Sequence, residues 1–331
     1  MVVSSISRVY LLKPSRGAKV PEEFFGWEEE TETCRFSGSL MVDRFASYKF
    51  LAVALLLAFC WAHVRRDFLM FLAGADAAGQ DWADRWIQDI GQLYQLNKLR
   101  IQAGRDLSAP ELPAPFVRMD LERMKQPEYA QSQQALVQHV ESLAQARDGQ
   151  LAQGGLPSLR RKILESLRKH WAGLTLFLDH PEIPLDNNGA ERVGRPVAMG
   201  RNNYYGSGSE WSGQLMAMLM TLFQTLTLHG VDDRGYLRAY LEACAQNRSQ
   251  APEDLPPLAA LELQSGHPRC ARAHSPCALR VCPAQWRGLC GGHFSLAELE
   301  KLRHWLSEGQ CHRSESTTAA SCSCPGQVLP T

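Results

Sequence analysis

Apolar positions fall into short runs before about residue 70, into helical spacing from there to about 170, and into longer stretches up to about 246. Arg8 to Lys13 (RVYLLK) is a short β-rich run that ends at Pro14. Residues 22–32 hold six glutamates around Trp27, a pattern that predicts a solvated loop face. Phe36 to Val42 (FSGSLMV) predicts a strand running into Asp43, and Arg44 to Tyr48 a turn or short helix. Leu51 to Phe59 is apolar without a break. It suits an element buried on both sides, and periodicity leaves strand and helix equally open.

From residue 71 to 170 the spacing is helical. Trp82, Trp86, Ile90 and Leu93 share one face, as do Leu136, Val140 and Leu143. A Pro-rich stretch, Ala109 to Pro115, and a Gly-rich one, Asp148 to Pro157, interrupt it. The helix after Pro157 sets Arg160, Arg161, Lys162, Arg168 and Lys169 against Glu165, which makes it the clearest basic patch. Leu174 to Leu178 is apolar, and DHPEIPLDNN reads as a loop. Leu215 to Leu228, apolar nearly all round, predicts a buried helix capped by Gly230; Tyr236 to Ala245 continues as a last helix. These shifts divide the chain into 1–70, 71–170, 171–246 and 247–331. The last part is rich in Pro, Cys, Ser and His, holds one plausible helix at Ser295 to Leu306, and is expected to be an irregular, disordered tail.

Composition narrows the class without naming a function. The 331 residues are 45% hydrophobic and 21% charged, with zero net charge, so neither wholesale disorder nor a uniformly basic chain fits. Local basic patches still permit a nucleic-acid partner. The longest apolar run, Phe50 to Ala62, is too short to cross a bilayer, and the first residues show no secretory h-region; no membrane partner and a cytoplasmic location are the expectations. Seven of the ten cysteines lie between Cys270 and Cys324, in no paired C-x2-C spacing, and read as reduced thiols.

Four constellations carry candidate chemistry, each with a plainer alternative. Asp43 at a predicted strand end suits a divalent cation at a sheet edge, or simply opens a turn. In LDNNGAERVGR (185–195), Glu191 is a metal-binding carboxylate or, with Asn188 as cap, a capping-box partner. Arg192, Arg195 and Arg201 beside it suit a phosphodiester substrate, or form solvated helix surface. Cys60 and His63, too few for a zinc site, read as a buried thiol and a hydrogen-bonded imidazole supporting the fold. RNNYYGSGSEW (201–211) is a turn, or a loop whose Tyr204 and Tyr205 stack on bases.

Taken in order, SRVYLLKPSRGAKVPEEFFG, VDRFASY, FCWAHVRRDF, LFLDHPEIPLDNNGAERVGR and RNNYYGSGSEWSG resemble the catalytic domain of bacterial transposases of the insertion sequence 66 family, from about residue 8 to about residue 246. The resemblance implies an α/β, RNase H-like core with a large helical insertion and a DDE active site using two Mg2+ ions. Asp43 matches the second acid and Glu191 the third, both as metal ligands, and Cys60 and His63 match a Cys-x-x-His element. DNA ends and target are the implied partners, with Arg160, Arg161, Lys162, Arg192, Arg195 and Arg201 as candidate DNA contacts.

The sequence departs from that pattern in two places. No aspartate precedes Asp43, so the first acid and first strand of the core are unaccounted for. The expectation is a defective, truncated copy with little strand-transfer activity alone and an unpaired sheet edge, which pairs with an intact transposase as a homo-oligomer. From about residue 270 the family pattern stops, and HFSLAELEKLRHWLSEGQC is similar to the start of another mobile-element reading frame. A fused or frame-shifted end is expected. The rival readings are a non-catalytic DNA-binding or dimerising fragment, a helical module with no DNA affinity, and a nuclease of the same fold.

Overall fold

A computed structural model describes residues 1–15, 17–204 and 208–247, with the side chains of 201–204 outside that description. The predicted tail, from residue 248 on, the Ser295 to Leu306 helix and Tyr205 all lie outside the described residues. An antiparallel hairpin, β1 (Val2–Val3) with β2 (Arg8–Val9), precedes helix α1 (Lys19–Phe25). Strand β3 (Ser39–Val42) leads through a 3-10 segment, Ala46–Val53, to β4 (Leu56–Phe59). Helices α2 (Trp61–Leu72), α3 (Ala77–Gly104), α4 (Leu121–Met124), α5 (Pro127–Ala152), α6 (Ser158–Lys169) and α7 (Trp171–Thr175) follow. After a second 3-10 turn and a loop come α8 (Asn188–Tyr204), α9 (Glu210–Leu228) and α10 (Asp233–Gln246). The described residues are therefore mainly helical with a small sheet.

That small sheet decides where the site lies. β3 and β4 are parallel, in register from Ser39↔Leu56 to Val42↔Phe59. Parallel strands cannot be joined by a tight turn, and the connection through residues 43–55 supplies the necessary crossover. Both strands therefore end on the same side. The Cys60 amide still donates to Val42 O at 3.1 Å, so the ladder runs one residue past β4 before α2 begins.

The main core lies between this pair and the helices. Trp61, Val64 and Phe68 from α2 meet Trp86, Ile90 and Leu93 from α3, Leu136, Val140 and Leu143 from α5, and Leu164 and Leu167 from α6. The helical faces read from the sequence are thus the buried ones. Their ends follow local chemistry: the Asp76 carboxylate caps α3 by accepting from Gly79 N at 2.8 Å, and Pro127 opens α5. Trp61 is fully buried, and its indole N–H is satisfied by Leu174 O at 2.8 Å. A smaller cluster of Phe25, Leu51 and Leu55 seals the other side of the 3-10 segment.

Several expectations need correction. The β-rich run Arg8 to Lys13 contributes only Arg8–Val9 as strand. The glutamate-rich stretch is partly helix, because Pro21 and Phe25 of α1 turn inward while Glu22 and Glu23 stay on its outer side. Leu51 to Phe59 divides between the end of a 3-10 segment and a strand. Helix α2, Trp61 to Leu72, runs across the division drawn at residue 70, and α5 runs through Asp148 to Ala152. Helix α9 is not buried all round: Gly213, Thr221, Leu222 and Leu226 are enclosed, and most of the remainder is half-buried, since β2 and α10 are what cover it. Gly230, at φ 72°, does terminate that helix in the left-handed conformation that glycine adopts without strain.

Candidate functional site

The shared end of β3 and β4 gathers the residues that the sequence singled out. Asp43 leaves β3 there, half-buried, and its Oδ1 accepts from Phe45 N at 3.1 Å, an Asp opening a turn. Cys60 leaves β4 beside it, fully buried, in the N-cap position of α2. The loop before α8 is clamped onto this junction: Trp61 N donates to Leu185 O at 2.9 Å, and Asn187 N to Cys60 Sγ at 3.5 Å. Burial pushes the Cys60 thiol up, and amide donors from Asn187, His63 and Ala62 offset part of that rise.

This clamp places α8. The helix starts at Asn188, so Asn187 stands in the cap position and Glu191 in the fourth helical position rather than the third. Glu191 is not a capping-box partner. Its Oε1 lies 3.5 Å from His63 Nε2, and its Oε2 lies 3.8 Å from an Arg66 guanidinium nitrogen. The carboxylate is 41% exposed, open enough to meet a ligand. His63 thus sits one turn into α2 facing Glu191, three residues after the thiol that holds the loop.

Arg44 is a residue that the sequence reading passed over. It follows Asp43, and its guanidinium donates to Ser166 Oγ at 2.9 Å, to His63 O at 3.1 Å and to the Asp67 carboxylate. It therefore ties the end of β3 to α2 and α6. An Arg directly after a candidate acid was the available signal, but its partners are over twenty residues away or more, apart from His63. On the flank, the Tyr94 phenol faces Asp186; burial and that neighbouring charge push it up.

The six basic candidates do not form one surface. Arg192 and Arg195 are exposed on α8. Arg160 is turned inward, its guanidinium 5.3 Å from the Trp82 ring centroid and 5.7 Å from that of Phe71, with Asp76 at 4.0 Å. Arg161 reaches Leu151 O at 3.5 Å, while Lys162 is exposed. The Arg201 side chain lies outside the described residues. Two further arginines, Arg65 and Arg66, are exposed on α2, and Arg66 lies beside Glu191.

The donor set tests the Mg2+ that the resemblance implies. Mg2+ prefers oxygen ligands in near-octahedral geometry, and a two-metal site needs several carboxylates. Among the described residues, no three His, Cys, Asp or Glu side chains converge closely enough to hold a metal. The enclosed polar atoms without partners at this junction include Arg44 Nε, His63 Nδ1 and Asn187 Oδ1, none of them a carboxylate oxygen. The described residues thus do not make a complete site for that pair of ions.

Comparison with known proteins adds to this geometry. The family described as "Transposase IS66 family" matches residues 4–215. Among curated proteins, the chain is similar to "Uncharacterized protein y4jD" of Sinorhizobium fredii (strain NBRC 101917 / NGR234), 30% identical over 70% of this chain and 41% of that protein. It is also similar to "Uncharacterized protein y4qI" of the same strain, 30% identical over 64% of this chain and 36% of that protein. The chain thus spans less than half the length of these relatives. No solved structure matches at a significant level.

Proposed function

Because the chain belongs to the IS66 transposase family, we propose that it is a transposase-derived protein that holds DNA at the shared end of β3 and β4. In this reading the parallel pair belongs to an RNase H-like core that the helices from α3 to α6 interrupt. Asp43 and Glu191 are two of the carboxylates that a DDE-type site would use to hold Mg2+ for cleavage and transfer of a DNA strand, a set that the described residues leave incomplete. Arg65, Arg66 and Arg195 face the phosphate backbone there.

One observation carries the reading. A candidate acid after β3, a Cys-x-x-His turn after β4, and a helix bearing Glu191 are brought to one end of two parallel strands. Exposed arginines on both flanking helices add positive charge where a phosphodiester would lie. Because the described donors fall short of a two-metal site, the chain assayed alone is expected to bind DNA without cutting it. No helix among the described residues is long and apolar enough to cross a membrane.

The test is a nicking assay on a DNA duplex with Mg2+ or Mn2+, using this chain and its Glu191→Gln variant, with binding followed across a salt series. Salt-dependent binding without nicking in either protein supports the proposal. Nicking that disappears in the variant would show that the acids of this chain suffice. Absence of salt-dependent binding would refute the DNA reading and leave a helical module.

A further inference from the structure

A recess of about 300 Å³ lies between the amino-terminal hairpin, the segment around Pro113 and Phe116, and helices α8 and α9. It is separate from the Glu191 face. Glu191 and Arg192 are consecutive on α8, and successive helical side chains point about 100° apart. Glu191 turns toward His63 of α2, whereas Arg192 lines the recess.

The lining is cationic. Arg8 and Arg192 both contribute, no acidic side chain does, and neither arginine pairs with a carboxylate among the described residues. Arg8 is already held in place: its Nη1 donates to Gln224 Oε1 at 3.1 Å and lies 3.4 Å from Gln224 O. Its Nε is enclosed and has no acceptor. Two arginines lining one cavity without a carboxylate leave it positively charged, and a bound anion relieves that charge. The first turn of α8 contributes Gly189 to the wall. A Cβ at Gly189 would lie 2.6 Å from Pro115 Cδ, so the absence of a side chain lets the 113–116 segment close that side. The volume is at the small end of ligand sites, ~300–1,000 Å³.

We propose that this recess binds a phosphate group, carried by a DNA strand or by a free nucleotide, between Arg8 and Arg192. The planar forks of arginine match phosphate oxygens in geometry and charge. Only the DNA source depends on the function proposed above; the phosphate chemistry stands on the recess itself. On a DNA strand, this would be a second phosphate, held on the opposite flank of α8 from Glu191.

The experiment uses the full chain and three variants, Arg192→Gln, Arg8→Gln and Gln224→Glu. Binding of inorganic phosphate and of a deoxynucleoside monophosphate is followed by titration calorimetry, and binding of a labelled DNA duplex by anisotropy across a salt series. Gln224→Glu places a carboxylate beside Arg8 and fills the anion's role without enlarging the side chain. It is expected to abolish phosphate binding while leaving thermal stability intact, which separates occupancy of the recess from misfolding of Arg8→Gln. Each arginine variant is expected to weaken phosphate binding about tenfold or more.

If DNA is the source, the same variants weaken duplex binding and Arg192→Gln lowers the salt slope by about one. If a nucleotide is the source, the mononucleotide binds and duplex affinity is unchanged; both results support the phosphate site. The proposal is overturned if phosphate and mononucleotide fail to bind and duplex affinity is indifferent to all three recess variants.

Discussion

Gly173 is the position where one methyl group should cost most. It sits in α7, whose backbone lies directly against β4. A Cβ at this position would come 2.5 Å from Phe59 Cδ2, 2.8 Å from Phe59 Cε2 and 2.6 Å from Leu57 O. The ring has little room to yield, because Phe59 is buried and packs edge-on against His170 with centroids 5.0 Å apart. The carbonyl belongs to the paired strand itself and moves only with β4. Overpacking of this kind costs about 1–3 kcal/mol. Replacing Gly by Ala in a helix returns about 1 kcal/mol at most. Contacts of 2.5–2.6 Å against a buried ring and a strand carbonyl put the cost in the upper part of that range, about 2–3 kcal/mol, so Gly173→Ala is expected to be destabilised by about 1–2 kcal/mol net, a fall of several degrees in thermal midpoint. Urea unfolding followed by tryptophan fluorescence measures this directly, since Trp61 and Trp171 flank the contact. A variant as stable as the parent, or more so, would refute the close approach of α7 to β4 and the placing of the site on that strand.

Three other outcomes are expected. His170 is buried, its Nδ1 is 2.8 Å from Ser166 O, and its Nε2 is enclosed without a partner. Burial lowers its pKa from the ordinary 6.5, so below that pH the unfolded chain takes up a proton that the folded chain resists; stability present above pH 6.5 should be lost as pH falls toward the folded value, and a His170→Gln variant should show a smaller loss between pH 7.5 and 5.5 in urea midpoints. Arg100 is fully buried, has no ion pair among the described residues and is pushed down to about 10 by desolvation, yet it donates to Asn97 Oδ1, Gln133 Oε1 and Leu178 O; Arg100→Met should strand those acceptors and lose about 1–3 kcal/mol in urea unfolding, and an unchanged midpoint would refute this. Cys60, buried with its thiol pushed up, should resist iodoacetamide in the native state while half-buried Cys34 reacts, as peptide mapping would show; equal labelling would mean that the α2–α8 clamp opens readily.

The helices were the most legible part of the fold, for a physical reason. Trp86, Ile90, Leu93, Leu136, Val140 and Leu143 belong to long helices that each bury one stripe against the others, so the period of the sequence is the period of the contact. The apolar run from Leu51 to Phe59 was ambiguous because it spans two elements, a 3-10 turn and a strand, and both are buried. Helix α9 misled for the opposite reason. Its apolar character all round signals burial, but burial depends on what packs against it, and among the described residues the hairpin and α10 cover only part of its circumference.

The candidate site shows the same division between local and distant information. Asp43, Cys60, His63 and Glu191 were visible as residue types at strand and helix ends, but which of them meet depends on the parallel pairing of β3 with β4, which no local pattern specifies. At α8 the sequence leaves the cap open by one residue. Asn188 is as good a cap as Asn187 by chemistry, and choosing it assigns Glu191 to its own helix terminus. The tertiary clamp breaks the tie. Asn187 N is drawn to Cys60 Sγ and Leu185 O to Trp61 N, so the helix begins after Asn187. Glu191 then faces α2 and meets His63 and Arg66. The buried thiol therefore acts at a distance from any chemistry: by fixing where α8 starts, it decides which direction the carboxylate faces, and with it which flank is left to Arg192.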